Sequence, residues 1–239
     1  MSANASGEEA ATKREQTRAR CAALATLLCL LGFAGFWAGA MALYPGGTFL
    51  DRSHVGQSFF GNFFCDLTQP ISLSGVANPV GSRLAQCGML FFAGALLGLF
   101  WVVPQHFAPG GRSRPWVLRL GTLSVLTFVA VPLTPSERFG SLHAELALVA
   151  GGFGILAAII AVWALFASHR RARALGVLGA LALAVGAFDA VIFIQHLGES
   201  APPPLLVPAA QKVAALLVSV WIAAVALLAL MDKDSRSAG

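Results

Sequence analysis

The sequence predicts an all-α fold: a polytopic membrane helical bundle of six transmembrane helices, with an interfacial amphipathic helix between the first and second spans. Composition is the first observation, because 57% of the 239 residues are hydrophobic and only 11% are charged, far from the average of a soluble domain. The second is that the apolar residues fall into six runs of about 20 residues, the length that a helix needs to cross the hydrocarbon core. Strands of alternating polarity are missing, which argues against a barrel.

Each of the six apolar runs predicts one span, and the stretches between them predict the domain organisation. The spans are residues 21–43, 84–107, 116–133, 142–168, 174–196 and 209–231. Residues 1–20 are small, polar and charged and predict a disordered cytoplasmic tail, while 232–239 form a second cytoplasmic tail. Only the connection 44–83 is long, so residues 21–231 predict one six-helix domain with an extracytoplasmic interfacial segment at 44–83.

The positions of the basic residues predict the orientation. With the N-terminus in the cytoplasm, twelve of the sixteen Lys and Arg residues fall on the cytoplasmic side, and four, Arg52, Arg83, Arg138 and Lys212, fall on the other. The positive-inside rule then predicts a multi-pass protein of the inner (plasma) membrane with both termini in the cytoplasm. The basic residues of the cytoplasmic side account for the net charge of +5, and they would attract anionic lipid. Membrane lipid is therefore the predicted partner, and nucleic acid is not.

Small residues recur at four-residue spacing inside four of the spans. The pairs are Gly35 and Gly39, Gly94 and Gly98, Ala150 and Gly154, and Ala182 and Gly186. Because lipid offers no water-exclusion force between helices, such pairs predict close packing within the bundle, with a dimer seam as the alternative. The oligomeric state stays open.

A row of polar residues follows the first span, in the stretch HVGQSFFGNFFCD at residues 54–66. His54, Ser58, Asn62 and Asp66 are each four residues apart, so on a helix they would line one face, beside four phenylalanines. Residues 51–53 offer N-cap chemistry for a helix that begins near His54. We therefore expect an amphipathic helix across the outer mouth of the bundle, with its phenyl rings in lipid or core.

Ionisable residues gather in the outer half of the predicted bundle. A lone charge in hydrocarbon costs at least roughly 2.5 kcal/mol, so such groups normally face a cavity, a partner or the interface. Asp189 lies about two turns before the end of the fifth span, and its alternative role is a structural pair with Lys212. His143 and Glu145 open the fourth span, where Glu145 also suits the first turn of a helix.

Several of these residues resemble positions of a known family. They are YPGG after the first span, the stretch ending NFFCDLT, the LHAELA that contains His143, and PAAQKVAALLVSVW at the sixth span. Together they resemble the six-span bacterial and archaeal membrane proteins grouped as domain of unknown function 998. The resemblance covers the chain after the first twenty residues. It implies a six-helix integral membrane protein and brings no established activity with it.

Three functions are compatible with the outer polar residues. The first is a lipid-interacting membrane protein whose polar cluster binds a headgroup or holds the bundle together, with Ser58, Asn62, Glu145, Gln211 and Lys212 as candidate ligand-binding residues. The second is a metal-dependent hydrolase of a lipid amide or ester. In that case His54, His143 and His196 would hold zinc as the cofactor, and Asp66, His143 and Asp189 would be catalytic.

The third function is a proton-linked carrier that uses Asp189, Glu145 and Lys212 as its relay. A carrier needs a polar route to both faces of the membrane. The inner half offers only Thr122, Ser124 and Thr127 for such a route. The sequence alone does not decide whether the chain is an enzyme, nor whether Cys65 and Cys87 form a disulfide.

Overall fold

The fold is helical, as the composition predicts. The computed structural model describes residues 2–196 and 204–231. Its helices are α1 (Ser2–Leu43), α2 (Phe64–Leu67), α3 (Pro79–Val102), α4 (Ser113–Ala130), α5 (Ser136–Phe139), α6 (Ser141–Phe166), α7 (Arg170–Gln195) and α8 (Leu206–Met231). Short 3₁₀ turns, Val103–His106 and Val131–Leu133, continue α3 and α4. Beta pairing in these described ranges is limited to two isolated bridges in residues 44–78.

Six of the helices contain a stretch that is long and apolar enough to cross a membrane. The stretches are Gln16–Leu43, Pro79–His106, Ser113–Leu133, Ser141–Phe166, Arg170–Gln195 and Leu206–Met231. This confirms the predicted all-α bundle with six spans. The second helix begins five residues before the predicted start at 84, because Pro79 occupies its first turn, where a proline costs no hydrogen bond.

The structure corrects the prediction for the N-terminal stretch, because α1 begins at Ser2 and runs without a break into the first span. Residues 2–20 are therefore helical where composition predicts a disordered tail. They contain five Ala, three Glu and three Arg and no proline, a composition with high helix propensity. The second predicted tail, 232–239, lies outside the described residues.

The spanning helices pack in the order of the chain and close into a ring. Each one contacts the next spanning helix, and α8 packs back on α1 and also touches α3. Successive spanning helices run in opposite directions, so the end of α1, the start of α3 and the start of α8 lie at one end of the bundle. We call this the loop end, and the segment that lies there, residues 44–78, the cap.

Glycines of the spans allow close approach between neighbouring helices. A Cβ atom at Gly94 would lie 2.9 Å from Sγ of Cys29, and one at Gly154 would lie 2.9 Å from Oγ of Ser124. A Cβ at Gly98 would collide with Thr26. These contacts confirm packing within the chain for the two pairs concerned. Gly186 differs, because no atom from other elements of the described chain lies within 4 Å of its Cβ position.

The cap does not contain the expected amphipathic helix, so that prediction is wrong. Only Phe64–Leu67 is helical, and the chain before it turns back on itself through a bridge between Gly46 and Val55. Gly56 has a φ of 75°, outside the helical region. Gly56 and Gly61 each lower helix propensity by about 1 kcal/mol, and the β-branched side chain of Val55 lowers it further.

Candidate functional site

The cap is held by backbone turns in which glycine supplies the conformations that other residues avoid. Gly46 and Gly47 have φ values of 140° and 87°, which L side chains rarely adopt. The amide of Gly47 donates to the carbonyl oxygen of His54 at 2.7 Å, and that of Gly56 donates to Pro45 at 3.1 Å. These turns fold residues 45–56 into a compact loop that positions the residues after it.

Asp66, the third residue of the short helix α2, caps the N-terminus of that helix with its side chain. Its Oδ2 accepts hydrogen bonds from the backbone N–H of Phe63 at 2.8 Å and from Nδ2 of Asn62 at 3.4 Å. A side chain at the third helical position that reaches back to the residue before the helix is the acidic half of a capping box. Burial raises the pKa of Asp66 to about 6, against these hydrogen bonds and the positive charges of Lys212 and Arg52.

Asn62 joins three parts of the cap. Its side chain is fully buried. Its Nδ2 donates to the carbonyl oxygen of Gly47 at 2.8 Å, and its Oδ1 accepts from the backbone N–H of Ser58 at 2.9 Å. The polar row of the sequence therefore does come together in part, through Ser58, Asn62 and Asp66, although a turn and not a helix brings it together.

Lys212 of α8 fastens the cap to the bundle. Its side chain is only 5% exposed. Nζ donates to the backbone carbonyl oxygens of Asn62 and, at 3.2 Å, Pro208. The same atom lies over the rings of Phe59 and Phe64, at 5.4 and 5.7 Å from their centroids, and a cation over an aromatic face is stabilised by the ring quadrupole.

Gln211, the neighbour of Lys212 on α8, makes a second tie to the cap. Its Oε1 accepts a hydrogen bond from the backbone N–H of Phe64 at 2.8 Å, which satisfies an amide at the start of α2. Two adjacent α8 side chains thus hold two consecutive parts of the cap. Both were candidate ligand-binding residues, and both have a structural role here.

Asp189 of α7 stands beside this cluster without joining its hydrogen bonds. The side chain is half-buried, and its charge interacts with that of Lys212. Within residues 2–196 and 204–231 the carboxylate accepts no hydrogen bond. On the same face of the helix, Phe193 contacts the ring of Phe63 in the cap, with 6.3 Å between centroids. Asp189 therefore lies below the edge of the cap.

No family model, no curated protein and no solved structure matches this chain. The likeness to the domain of unknown function 998 family therefore stays a prediction. The chemistry of the loop end has to be inferred from its own side chains.

The three histidines predicted to hold a metal ion are engaged separately. Nδ1 of His143 donates to the carbonyl oxygen of Thr134 at 2.8 Å, and Nδ1 of His196 donates to Ile192 at 2.7 Å. His54 lies in the loop beside Asp51. No group of three His, Cys, Asp or Glu side chains in the described part of the chain is placed to hold a metal ion. The structure therefore does not bring His54, His143 and His196 together as predicted, and the rings of His143 and His196 each bond to a backbone carbonyl of a nearby residue.

The predicted catalytic group does not converge either. Asp66 is enclosed in the cap, and His143 is buried on α6 against the turn after α4. Of the two carboxylates in this group, that of Asp189 is the one that makes no hydrogen bond to the described residues. Glu145, a member of the predicted carrier relay, is exposed on α6.

The polar route of a carrier gains little from Ser124 and Thr127. Their hydroxyls donate to the carbonyl oxygens of Ala150 and Leu123 at 2.7 and 2.8 Å.

The cysteines of the outer half are both free thiols. Cys87 is exposed on α3 and Cys65 belongs to α2. Burial raises the pKa of Cys65 to about 12. A thiol with so high a pKa carries almost no thiolate, the nucleophilic form, near neutral pH.

Sequence reasoning missed two residues that anchor the second half of the cap. Nδ2 of Asn78 donates to the carbonyl oxygens of Leu67 and Gln69, at 3.2 and 3.1 Å. The hydroxyl of Tyr44 accepts from the backbone N–H of Leu73 at 3.1 Å, and burial raises its pKa to about 12. Asn directly before Pro79 at a helix start was a usable signal for the first, whereas no local pattern marks the second.

Proposed function

We propose that this chain is an integral membrane protein of the plasma membrane that interacts with lipid through its loop end. The cap lies in the interfacial region of the extracytoplasmic leaflet, and both termini are in the cytoplasm. In this proposal the polar cluster serves to hold the cap on the bundle, and the apolar surface of the cap contacts lipid.

One observation carries the proposal: the cap leaves large apolar side chains at the surface although it lies outside the spans. Val55 is 87% exposed, and Leu50, Phe60 and Val76 are each more than half exposed. Clusters of exposed apolar residues are rare on a surface that meets only water. They are typical of interfacial segments, whose apolar side enters the boundary between headgroups and acyl chains.

The polar groups of the cap complement this apolar surface. Asn62 and Asp66 are buried beneath it and bonded to backbone groups and to each other. Since a polar group in lipid is costly unless it is hydrogen-bonded, such an inward arrangement supports a cap that lies at lipid depth. Arginines of the opposite end, including Arg112, Arg170 and Arg173, support the cytoplasmic placement of that end.

A depth measurement tests the proposal. In a chain with Cys21 and Cys87 replaced by alanine, Val55→Cys would be labelled with an environment-sensitive fluorophore and the protein reconstituted into liposomes. We expect blue-shifted emission and strong quenching by lipids that carry a quencher near the glycerol. Ser53→Cys is the matched control, because Ser53 is also exposed but belongs to a polar turn with Asp51.

The proposal fails if the label at Val55 behaves as the label at Ser53 does, with emission typical of water and no quenching by lipid. A cap that projects into solution would give that result. Protein in detergent without phospholipid supplies the reference emission for both labels.

A further inference from the structure

We propose that the face of α7 that carries Asp189 and Gly186, beside the cap at the loop end, is a binding site for a lipid whose headgroup carries a primary ammonium group, with Asp189 as the acceptor. The inference rests on the proposed lipid interaction and names its ligand class. It follows from three features of the loop end: a carboxylate without a hydrogen bond to the described residues, an open space beside it and the local balance of charge.

The carboxylate of Asp189 is the first feature. It lies in a membrane span, half-buried, and the described residues give it no hydrogen bond. Carboxylates in membrane spans normally face a partner or a cavity, because a charge without one is costly there. Lys212 does not satisfy it by hydrogen bonding, since Nζ of Lys212 donates to the carbonyl oxygens of Asn62 and Pro208.

The open space is the second feature. Gly186 lies three residues before Asp189, on the same face of α7. No atom of the described residues outside the neighbouring turns of α7 lies within 4 Å of a Cβ built on Gly186, whereas glycines such as Gly94 and Gly154 are closely packed. An acyl chain or a glycerol group that runs along this face therefore has room at Gly186, one turn below the carboxylate. The rings of Phe63 and Phe193 contact each other above it.

The charge balance is the third feature, and it selects the headgroup. Lys212 is the positive charge that interacts with both Asp66 and Asp189, so two carboxylates share one buried ammonium group. Arg52 also interacts with Asp66, whereas Asp189 interacts with Lys212 alone among the charges of the described residues. A carboxylate that has only a share of one ammonium group disfavours a phosphate or a carboxylate as the bound group. A primary ammonium group supplies a positive charge and three N–H donors, and a trimethylammonium group has no donor to offer a carboxylate.

The depth of Asp189 is compatible with a headgroup. The 26 residues of α7 extend for about 39 Å at ~1.5 Å a residue, against a hydrocarbon core of about 30 Å. Asp189 is six residues before the last helical residue, Gln195, or about 9 Å. A centred helix therefore places the carboxylate about 5 Å below the boundary of the core, within reach of a tilted headgroup.

Thermal-shift and native mass spectrometry titrations on the detergent-solubilised full chain test the site. The probes are phosphatidylethanolamine, phosphatidylcholine and phosphatidylglycerol with identical acyl chains. We expect the wild-type chain to bind the ethanolamine lipid about tenfold more tightly than the choline lipid, the value of one hydrogen bond to a charged group. Asp189→Asn should abolish this preference, and Glu145→Gln, which removes another acidic residue of the loop end, should keep it.

A second pair of variants tests the open space independently of the charge. Gly186→Leu should weaken binding of both the ethanolamine and choline lipids, because the leucine side chain occupies the space beside Asp189. Gly35→Leu is the control, since Gly35 belongs to a different helix, α1, and its Cβ position is also open among the described residues.

Three outcomes overturn the inference. They are equal affinity of the wild-type chain for the ethanolamine and choline lipids, a preference that survives in Asp189→Asn, and competition by soluble phosphoethanolamine as effective as that by the lipid. The wild-type comparison needs no variant, so a folding defect in Asp189→Asn does not prevent the test. If the Val55 label lies in lipid but headgroup preference is absent, the site fails and the proposed interfacial cap stands.

Discussion

Lys212 of α8 donates a hydrogen bond from Nζ to the backbone carbonyl oxygen of Asn62, a residue 150 positions earlier in the chain. This contact joins the last spanning helix to the segment that follows the first one. It uses a buried charge to satisfy a backbone acceptor, which a buried polar group requires. The contact explains why a lysine occurs near the start of an otherwise apolar span.

Replacing Lys212 with methionine should loosen the cap. Methionine keeps most of the apolar stem but loses the bonds to the carbonyl oxygens, and a hydrogen bond to a charged group contributes about 1.5 to 3 kcal/mol. We expect a lower thermal midpoint in detergent and faster tryptic cleavage at Arg52, the only Lys or Arg in the cap. Arg83→Met, which removes an exposed charge near the start of α3, should change neither value.

Equal midpoints and equal cleavage rates for Lys212→Met and Arg83→Met would mean that Lys212 does not hold the cap. Cleavage that rises in both variants would instead point to a general effect of lost positive charge at the loop end.

Asp66 should make stability depend on pH below neutrality. Burial raises its pKa from 3.8 to about 6 in the folded chain, so between these values the folded state binds more protons than the unfolded state. Stability therefore falls as pH rises from about 4 to about 6 and levels off above, with a contribution of roughly 3 kcal/mol. Midpoints measured from pH 4 to pH 8 should show this trend.

Asp66→Asn is the variant that isolates this effect. Asparagine keeps an oxygen that can accept from the N–H of Phe63 but does not titrate. The difference in midpoint between variant and wild type should therefore grow, in favour of the variant, as pH rises through this window. A difference that stays constant across the window would assign the pH dependence to other groups.

The close approach of α1 and α3 gives a prediction about packing. Gly98→Ala should destabilise the chain by about 1 to 3 kcal/mol, because the new methyl group meets Thr26. The hydroxyl of Thr26 donates to Ala22 at 2.7 Å, which fixes its rotamer. Gly151→Ala is the control: no atom lies within 4 Å of its Cβ position, so better helix propensity should leave the thermal midpoint unchanged or slightly higher.

A substitution of Gly98 that is as well tolerated as that of Gly151 would show that α1 and α3 are not in close contact. Because both changes add one methyl group to a spanning helix, hydrophobicity cannot account for a difference between them.

Reporter fusions test the proposed orientation. Green fluorescent protein fused after Gly239 should fluoresce, and alkaline phosphatase fused at the same residue should be inactive, because the positive-inside rule places this end in the cytoplasm. Insertion of the phosphatase after Gly75, in an exposed turn of the cap, should give an active enzyme. The reverse pattern at both positions would invert the topology.

The six spans could be predicted from the sequence because each is a local property of some twenty consecutive residues. Pro79 shows why a boundary is harder to predict: the helix begins at a proline outside the apolar run. The N-terminal extension of α1 was missed since its polar composition suits both a disordered segment and an exposed helix.

The candidate site was predicted in part. Asn62, Asp66, Gln211 and Lys212 do gather at the loop end, and the signal in the sequence was their polarity in a largely apolar chain. The expected helix through His54 fails because glycine turns at 46, 47 and 56 outweigh a four-residue polar period. The metal site failed for another reason, since spacing along the chain does not show that His143 and His196 each bond to a nearby backbone carbonyl.

An electron microscopy map of the full chain in a lipid nanodisc, aligned with an antibody fragment bound at the opposite end, tests the central claim most directly. The account predicts that the cap lies within the headgroup layer, with Val55 and Phe60 against lipid density and Lys212 against the carbonyl of Asn62. A cap that stands clear of the headgroups in water, or that is detached from α8, would contradict it.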